Sequence, residues 1–279
     1  MKRQILVLLL GLIIFGCEKE EFKIDSGDKV QGLTLYWDHE VFGEGGRELR
    51  FEFYETMEFE NSFELVFDYK IEEKEIIISL VDKLNNGKCG KFPTPNGIDS
   101  LCRPKGNVNI PDNLLIEDNY SIILKTYDFE IKSNLIIDDE NFILEIPSNE
   151  KFSSSITAVY PIPENLLFGS VVFSGIENTQ KANDFFEELE AIGFNKTSVP
   201  NFPYRHLRVD DNGKPFDRHW EPDKHSLSFL NKMGSNFENA FELAKVHFNK
   251  TNLNIYLYSS YGDEARLSKN DGITVRYAE

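Results

Sequence analysis

Cysteine, tryptophan and methionine are scarce in this chain, with three, two and three copies in 279 residues, and basic residues fall well behind acidic ones, 30 Lys plus Arg against 47 Asp plus Glu. The basic deficit, a formal charge of −17, argues against nucleic acid as a partner, because phosphate binding draws on clustered Lys and Arg and on counterion release. Long apolar runs are missing apart from a single one at the N-terminus, which excludes a polytopic membrane protein. No C-x-x-C, H-E-x-x-H, G-x-S-x-G or phosphate-cradling Gly loop occurs, so the signatures of a redox pair, a zinc protease, a hydrolase elbow and a nucleotide site are absent. Paired carboxylates carry no information about glycosidase chemistry among 47 acids. What remains, a chain 41% hydrophobic, is too apolar for disorder and suits two modest domains.

The N-terminus reads as an address. Lys2 and Arg3 precede the apolar stretch Ile5 to Phe15, too short to span a bilayer, which stops at Gly16-Cys17. Residues Ile14-Phe15-Gly16-Cys17 resemble the lipobox of bacterial lipoproteins, although Phe15 is bulkier than usual there. The resemblance implies that residues 1–16 are a signal peptide and that Cys17 is lipidated and becomes the mature N-terminus, with 17–30 as a tether. Glu18-Lys19-Glu20-Glu21 resembles the Lys-acidic-acidic export signal of surface-exposed lipoproteins of the Bacteroidota, which implies display at the outer membrane, and Asp99-Ser100-Leu101 resembles the short O-glycosylation site of that phylum. Removing residues 1–16 leaves 28 basic against 47 acidic residues. Acidic lipid headgroups cannot hold such a chain, so the membrane is a partner only through acyl chains, at about 0.8 kcal/mol per buried CH₂.

With Cys17 assigned to lipid, Cys89 and Cys102 form a pair around a loop containing two Pro and two Gly. In an exported protein this pair is expected to be an oxidised, structural disulfide, stabilising the fold by about 3 kcal/mol through the unfolded chain. Two Cys alone do not make a zinc site.

Between Gly32 and about Tyr160 apolar residues recur at every second position: Leu33, Leu35 and Trp37; Leu49, Phe51 and Phe53; Phe63, Leu65, Phe67 and Tyr69; Ile76, Ile78 and Leu80; Ile122 and Leu124; Phe129 and Ile131; Phe142, Leu144 and Ile146. This period of two, broken by Gly, Asn, Asp and Pro clusters, predicts about seven half-buried antiparallel strands, and hence an immunoglobulin-like β-sandwich over residues 31–160. The prolines of Tyr160-Pro161-Ile162-Pro163 predict an extended connector there. The charge also changes: residues 18–160 hold 15 basic and 30 acidic residues, and 161–279 hold 13 and 17.

Beyond the connector the period lengthens. Gly169 to Gly175 reads as a strand, and Ala182, Phe185, Phe186, Leu189 and Ile192 recur at helical spacing before Gly193. Ser235-Asn236-Phe237-Glu238 predicts a capping box opening a second helix, with Phe237, Ala240, Phe241 and Ala244 as its apolar face. Asp211-Asn212-Gly213 predicts a hairpin between strands Tyr204–Asp210 and Lys214–Trp220, and Leu253–Ser259 and Ile273–Tyr277 predict two closing strands. The order β-α-β-β-α-β predicts a ferredoxin-like split βαβ domain over 161–279, so the fold class is mostly β plus α+β.

Such a plait covers one sheet face with helices and leaves the other open. Tyr204, His206, Arg208, Tyr256, Tyr258 and Arg276 are expected on that open face, a composition suited to binding a glycan, peptide or protein. Packing against the sandwich is the competing expectation. Four of the five His lie in this half, and His219, Glu221 and His225 in the loop 217–225 are the weak candidates for a metal, which would make the protein a metal-dependent hydrolase. Their spacing matches no ligand motif. Asp138-Asp139-Glu140 is weighed as a calcium site but lacks the D-x-D-x-D series. The favoured reading is a lipid-anchored, non-catalytic binding protein that needs no cofactor.

Overall fold

The computed structural model describes residues 29–43, 46–94, 97–99, 101–138, 140–216 and 224–278. The expectations for residues 1–28, Ser100, Asp139, Trp220 and most of the His-rich loop, including His219 and Glu221, therefore lie outside the described residues. The rest is mostly β, with two α-helices. Among the described residues no helix is long and apolar enough to cross a membrane.

The first half contains β1 (Leu33–Gly43), β2 (Gly46–Glu55), β3 (Asn61–Glu72), β4 (Glu75–Lys88), β5 (Phe92–Thr94), β6 (Gly97–Asp99), β7 (Lys105–Pro111), β8 (Asp118–Lys125), β9 (Glu130–Ile137), β10 (Phe142–Glu145), β11 (Phe152–Ser154) and β12 (Ala158–Val159). All but the small β5–β6 pair form one curled sheet in the order β11-β1-β2-β7-β3-β4-β8-β9-β10-β12. Every run of alternating residues named above lies at least partly in a strand, because alternation sends one side chain in two to a shared interior. That interior holds Leu33, Leu35, Trp37, Leu49, Phe51, Phe53, Ile76, Ile78, Ile122, Leu135 and Leu144, each buried. The curl brings distant segments together: the Trp37 indole donates to Ile156 O at 2.7 Å, and the His39 ring meets Phe142.

Two features depart from the expectation. The pairings β1–β11, β3–β7 and β4–β8 are parallel, not antiparallel, and β3–β7 is a single residue pair, Glu64 with Lys105. Strands β7, β11 and β12 escape a pattern search because β7 has only Val108 and Ile110 buried and the others have three and two residues. The expected disulfide is present, joining Cys89 and Cys102 at a Cα separation of 5.9 Å. Asp138 serves as a turn cap, its carboxylate accepting from the N–H groups of Glu140 and Asn141 at 2.9 and 2.7 Å.

The second half runs β13 (Leu166–Ser174), α1 (Thr179–Ala191), β14 (Phe194–Lys196), β15 (Lys224–Met233), α2 (Phe237–Lys250), β16 (Asn254–Ser259), β17 (Glu264–Ser268) and β18 (Gly272–Arg276). Its sheet has the order β14-β15-β13-β16-β17-β18, antiparallel throughout. One face packs under the helices, joining Val171, Phe173, Ile255 and Leu257 to Phe185, Leu189, Phe241 and Ala244. The second helix is capped by Asn236 and not by Ser235: the Asn236 side chain accepts from Asn239 N at 3.1 Å, while Ser235 Oγ accepts from the Asn239 amide. The expected strands Tyr204–Asp210 and Lys214–Trp220 do not form in the described part. The predicted turn is real, with Asp210 accepting from Asn212 and Lys214 N–H and Gly213 at φ +72°, but only one isolated bridge, Val209 to Pro215, flanks it. The strands beside β13 are β15 and β16, and β14, β15 and β17 were not anticipated.

One buried charge follows from a backbone irregularity. Along β4 the inward residues are Ile76, Ile78 and Leu80, but a bulge at Val81, where Val66 pairs with Asp82 and Phe67 with Leu80, shifts the parity. Lys83 therefore turns inward, with its Nζ 2.7 Å from Glu55 Oε2 and above the rings of Phe59 and Phe63 at 4.4 and 5.0 Å. The two side chains are 1% and 0% exposed. Removing one partner of such a pair strands the other charge in the interior, whereas removing both does not. Lys83→Met is expected to lower the urea unfolding free energy by about 3–5 kcal/mol, and the double variant Lys83→Met with Glu55→Leu to regain most of it. Equal losses in the single and double variants would contradict this.

Candidate functional site

The sheet face away from the helices is not open. It carries Leu166, Phe168 and Leu230, apolar groups that need a cover, and the end of β1 (Val41, Phe42), Ile162 and the loop residues Val199, Tyr204, Leu207 and Val209 supply it. Gly262 permits the close approach: it sits at φ +101°, and a Cβ there would lie 2.1 Å from Val41 O. Tyr204 is thus buried at 5% exposure, and burial together with the Glu140 charge pushes its hydroxyl up to about 12. Arg276 is also turned to this contact, donating to Phe42 O at 2.8 Å and lying over the Phe42 ring. The expectation of an open binding face is therefore corrected for Tyr204, which lies in the covering loop and not on a strand of the sheet, while Arg276 stays exposed on β18 with its guanidinium engaged by Phe42.

The cover stops short of the whole face and leaves a cleft of about 400 Å³. Its floor is Ser170 and Val172 of β13, Ser228 of β15 and Asn254, Tyr256 and Tyr258 of β16; its walls are His206, Arg208 and Phe216 of the loop, Lys224, and the turn residues Asn270 and Asp271. Four of the six expected residues, His206, Arg208, Tyr256 and Tyr258, meet here. The alternation of β16 explains the tyrosines: Leu253, Ile255 and Leu257 are fully buried under the helices, so the intervening residues face the cleft. Burial raises the Tyr258 hydroxyl above its ordinary range, and its ring packs on Phe42 and Phe168. Asn254 follows from the same alternation as the tyrosines, whereas Ser170, Lys224, Phe216, Asn270 and Asp271 were not anticipated. For Ser170 the signal was legible, a polar residue at an outward position of β13; for the rest, chain-distant loops had to be brought together first.

The wall is held by charge. Glu40, at the end of β1 and 6% exposed, accepts from His206 Nε2 at 2.7 Å and from the N–H groups of Val41 and Phe42 at 3.0 and 2.8 Å. Arg205 binds it at 3.1 Å and also reaches Asp38, which Arg50 approaches at 3.4 Å. Desolvation pushes the Glu40 carboxyl up, but the hydrogen bonds from His206 and Phe42 and the charges of His206 and Arg50 outweigh it and hold it at about 2. Nearby, burial drives the His39 imidazole down, against its hydrogen bond to Asp112 at 3.1 Å, while Asp112 is held low against its own desolvation by His39 and by Arg47 at 2.8 Å. The Arg47 guanidinium also donates to Ile162 O and Ser260 O, both at 2.9 Å, tying the two halves.

His225, the described member of the metal candidates, stacks on Phe173, and among the described residues no three His, Cys, Asp or Glu side chains gather as a metal site. The titrations set the acid response. A His held neutral costs stability as pH falls below its unfolded value near ~6.5, and carboxylates held low cost it below about 4. Stability is therefore expected to fall in two stages, first below about pH 6.5 through His39 and then from about pH 4.5 towards 2 through Glu40 and Asp112. Glu40→Gln should flatten the second stage in urea titrations against pH, and an unchanged profile would contradict the assignment. Compared with models of known protein families, with curated proteins and with solved structures, the chain matches none.

Proposed function

We propose that this is a lipid-anchored protein of the bacterial cell surface that binds a glycan, without catalysis, in the cleft of its second half. The observation that carries the reading is the cleft itself. It sets aromatic rings, Tyr256, Tyr258 and Phe216, beside amide, hydroxyl and guanidinium groups on several elements, and its volume of about 400 Å³ falls among small-molecule sites. Sugar rings offer apolar faces to stack on and hydroxyls to hydrogen-bond, which is the complement of that lining. Phe216, 54% exposed at the rim, is placed for stacking. Peptide or protein ligands are the other occupants this surface admits.

The architecture is read the same way. The first half acts as a β-sandwich spacer: the single pair joining β3 to β7 divides its sheet into two leaves around one core. The second half is a split βαβ plait with two added strands, supported by the order β14-β15-β13-β16. The lipidated Cys17 and the acidic tether after it raise both from the outer membrane. Two measurements test this reading. Cys17→Ser should move the protein from the membrane to the soluble fraction and remove the acyl mass. In a glycan screen followed by calorimetry, Tyr256→Ala and Arg208→Ala should each weaken the best ligand tenfold or more. Unchanged affinity in both, or a stoichiometric metal lost on changing His219 and His225 to Ala, would overturn it.

A further inference from the structure

The outer edges of the two large sheets are protected unequally. Strands β11 and β12, at the edges of the first sheet, have three and two residues, and β14, at one edge of the second, has three, with Lys196 paired to Glu190. Very short edges, and the lysine on β14, resist strand addition. The remaining edge, β18, is five residues long and exposed throughout, Gly-Ile-Thr-Val-Arg, with no charge from Gly272 to Val275. Ile273 and Val275 pair with Leu267 and Ala265, so they continue the apolar helix-side face beyond the reach of α2, and each remains 41% exposed. Two β-branched residues exposed side by side on an unpaired edge are what a sheet presents to another strand.

We propose that β18 pairs antiparallel with β18 of a second copy of this chain, about a two-fold axis at Thr274. The strand is self-complementary in that register: Thr274 faces its own copy, and Ile273 and Val275 each face the other residue of the second copy, closing the apolar strip on itself. The neighbouring helix supports the same symmetry. Helix α2 runs opposite to β18, since Phe237 at its start packs on Tyr277 and Phe248 near its end accepts from Lys269, just before β18. Its flank on the β18 side carries Glu238 and Glu242 early and Lys245 late, because the other flank meets α1 through His247 and Phe185. A two-fold axis at Thr274 sets these helices antiparallel, so Lys245 of one, which binds Glu242 of its own helix at 2.6 and 2.9 Å, also comes opposite the acidic half of the other. This charge order favours a second copy over an unrelated strand. Val246, 43% exposed on α2, is not needed for the pairing. Anchoring on one membrane raises the local concentration and favours such pairing.

The test uses the purified full chain in detergent. Sedimentation equilibrium should give a concentration-dependent dimer, and Ile273→Glu with Val275→Glu, both at exposed positions, should give a monomer of unchanged circular dichroism. Thr274→Cys should form a disulfide-linked dimer on non-reducing gels, whereas Asn195→Cys on the protected β14 edge should stay at the background of the unsubstituted chain. A monomer through 100-fold dilution from the highest soluble concentration, a dimer surviving the double substitution, or a Thr274→Cys adduct with a different protein would each overturn the pairing.

Discussion

A single guanidinium organises this molecule. Arg47, at the start of β2, reaches the Asp112 carboxylate, the carbonyl of Ile162 in the connector and the carbonyl of Ser260 after β16, partners 65, 115 and 213 residues away along the chain. Only a planar fork with several donors can satisfy three such acceptors at once. Because it is itself nearly buried, each bond is charge-assisted and poorly replaced by water. The result is that the end of β1 is held against the second sheet, and everything in the cleft that depends on β1 inherits that position.

Glu40 shows how the dependence passes on. Its carboxylate is fixed by the N–H groups of Val41 and Phe42, residues that belong to the contact between the halves, and in turn it fixes His206 in the cleft wall. The acidic excess of the first half thus has a structural use at one point: Asp38 and Glu40 capture Arg205 and His206 and seat the loop on the sheet. Arg208, two residues farther on, is left exposed at the cleft. A loop with little regular hydrogen bonding of its own acquires a defined shape from ion pairs supplied by another part of the chain.

The buried Lys83–Glu55 pair is the counterpart inside the first half. It is held among Phe59 and Phe63 with Glu55 Oε1 lacking a hydrogen-bond partner, a costly arrangement that apolar residues could replace. It joins β2 to β4 across two intervening strands, which the curl of the sheet makes possible. A salt bridge of this type fixes register more than it adds stability, since shifting β4 by one residue would turn Lys83 out and leave Glu55 alone.

Local periodicity by itself determined the strand-rich first half, both helices of the second half and the inward and outward faces of β16, because burial every second or every 3.6 residues is written into the order of apolar side chains. The Cys89–Cys102 pair was legible because these two cysteines flank one short, turn-rich loop far from the third at position 17. Tertiary structure alone decided the parallel pairings of β11 and β8, the inward turn of Lys83 and the joining of His206, Phe216, Lys224 and Asn270 in one cleft. Tyr204 and Arg276 show the limit most plainly. The alternation around Tyr204 suggested a strand where the chain forms a loop covering the sheet, and Arg276, on a true strand, spends its guanidinium on Phe42 O, 234 residues away; no local pattern encodes contacts at such distances.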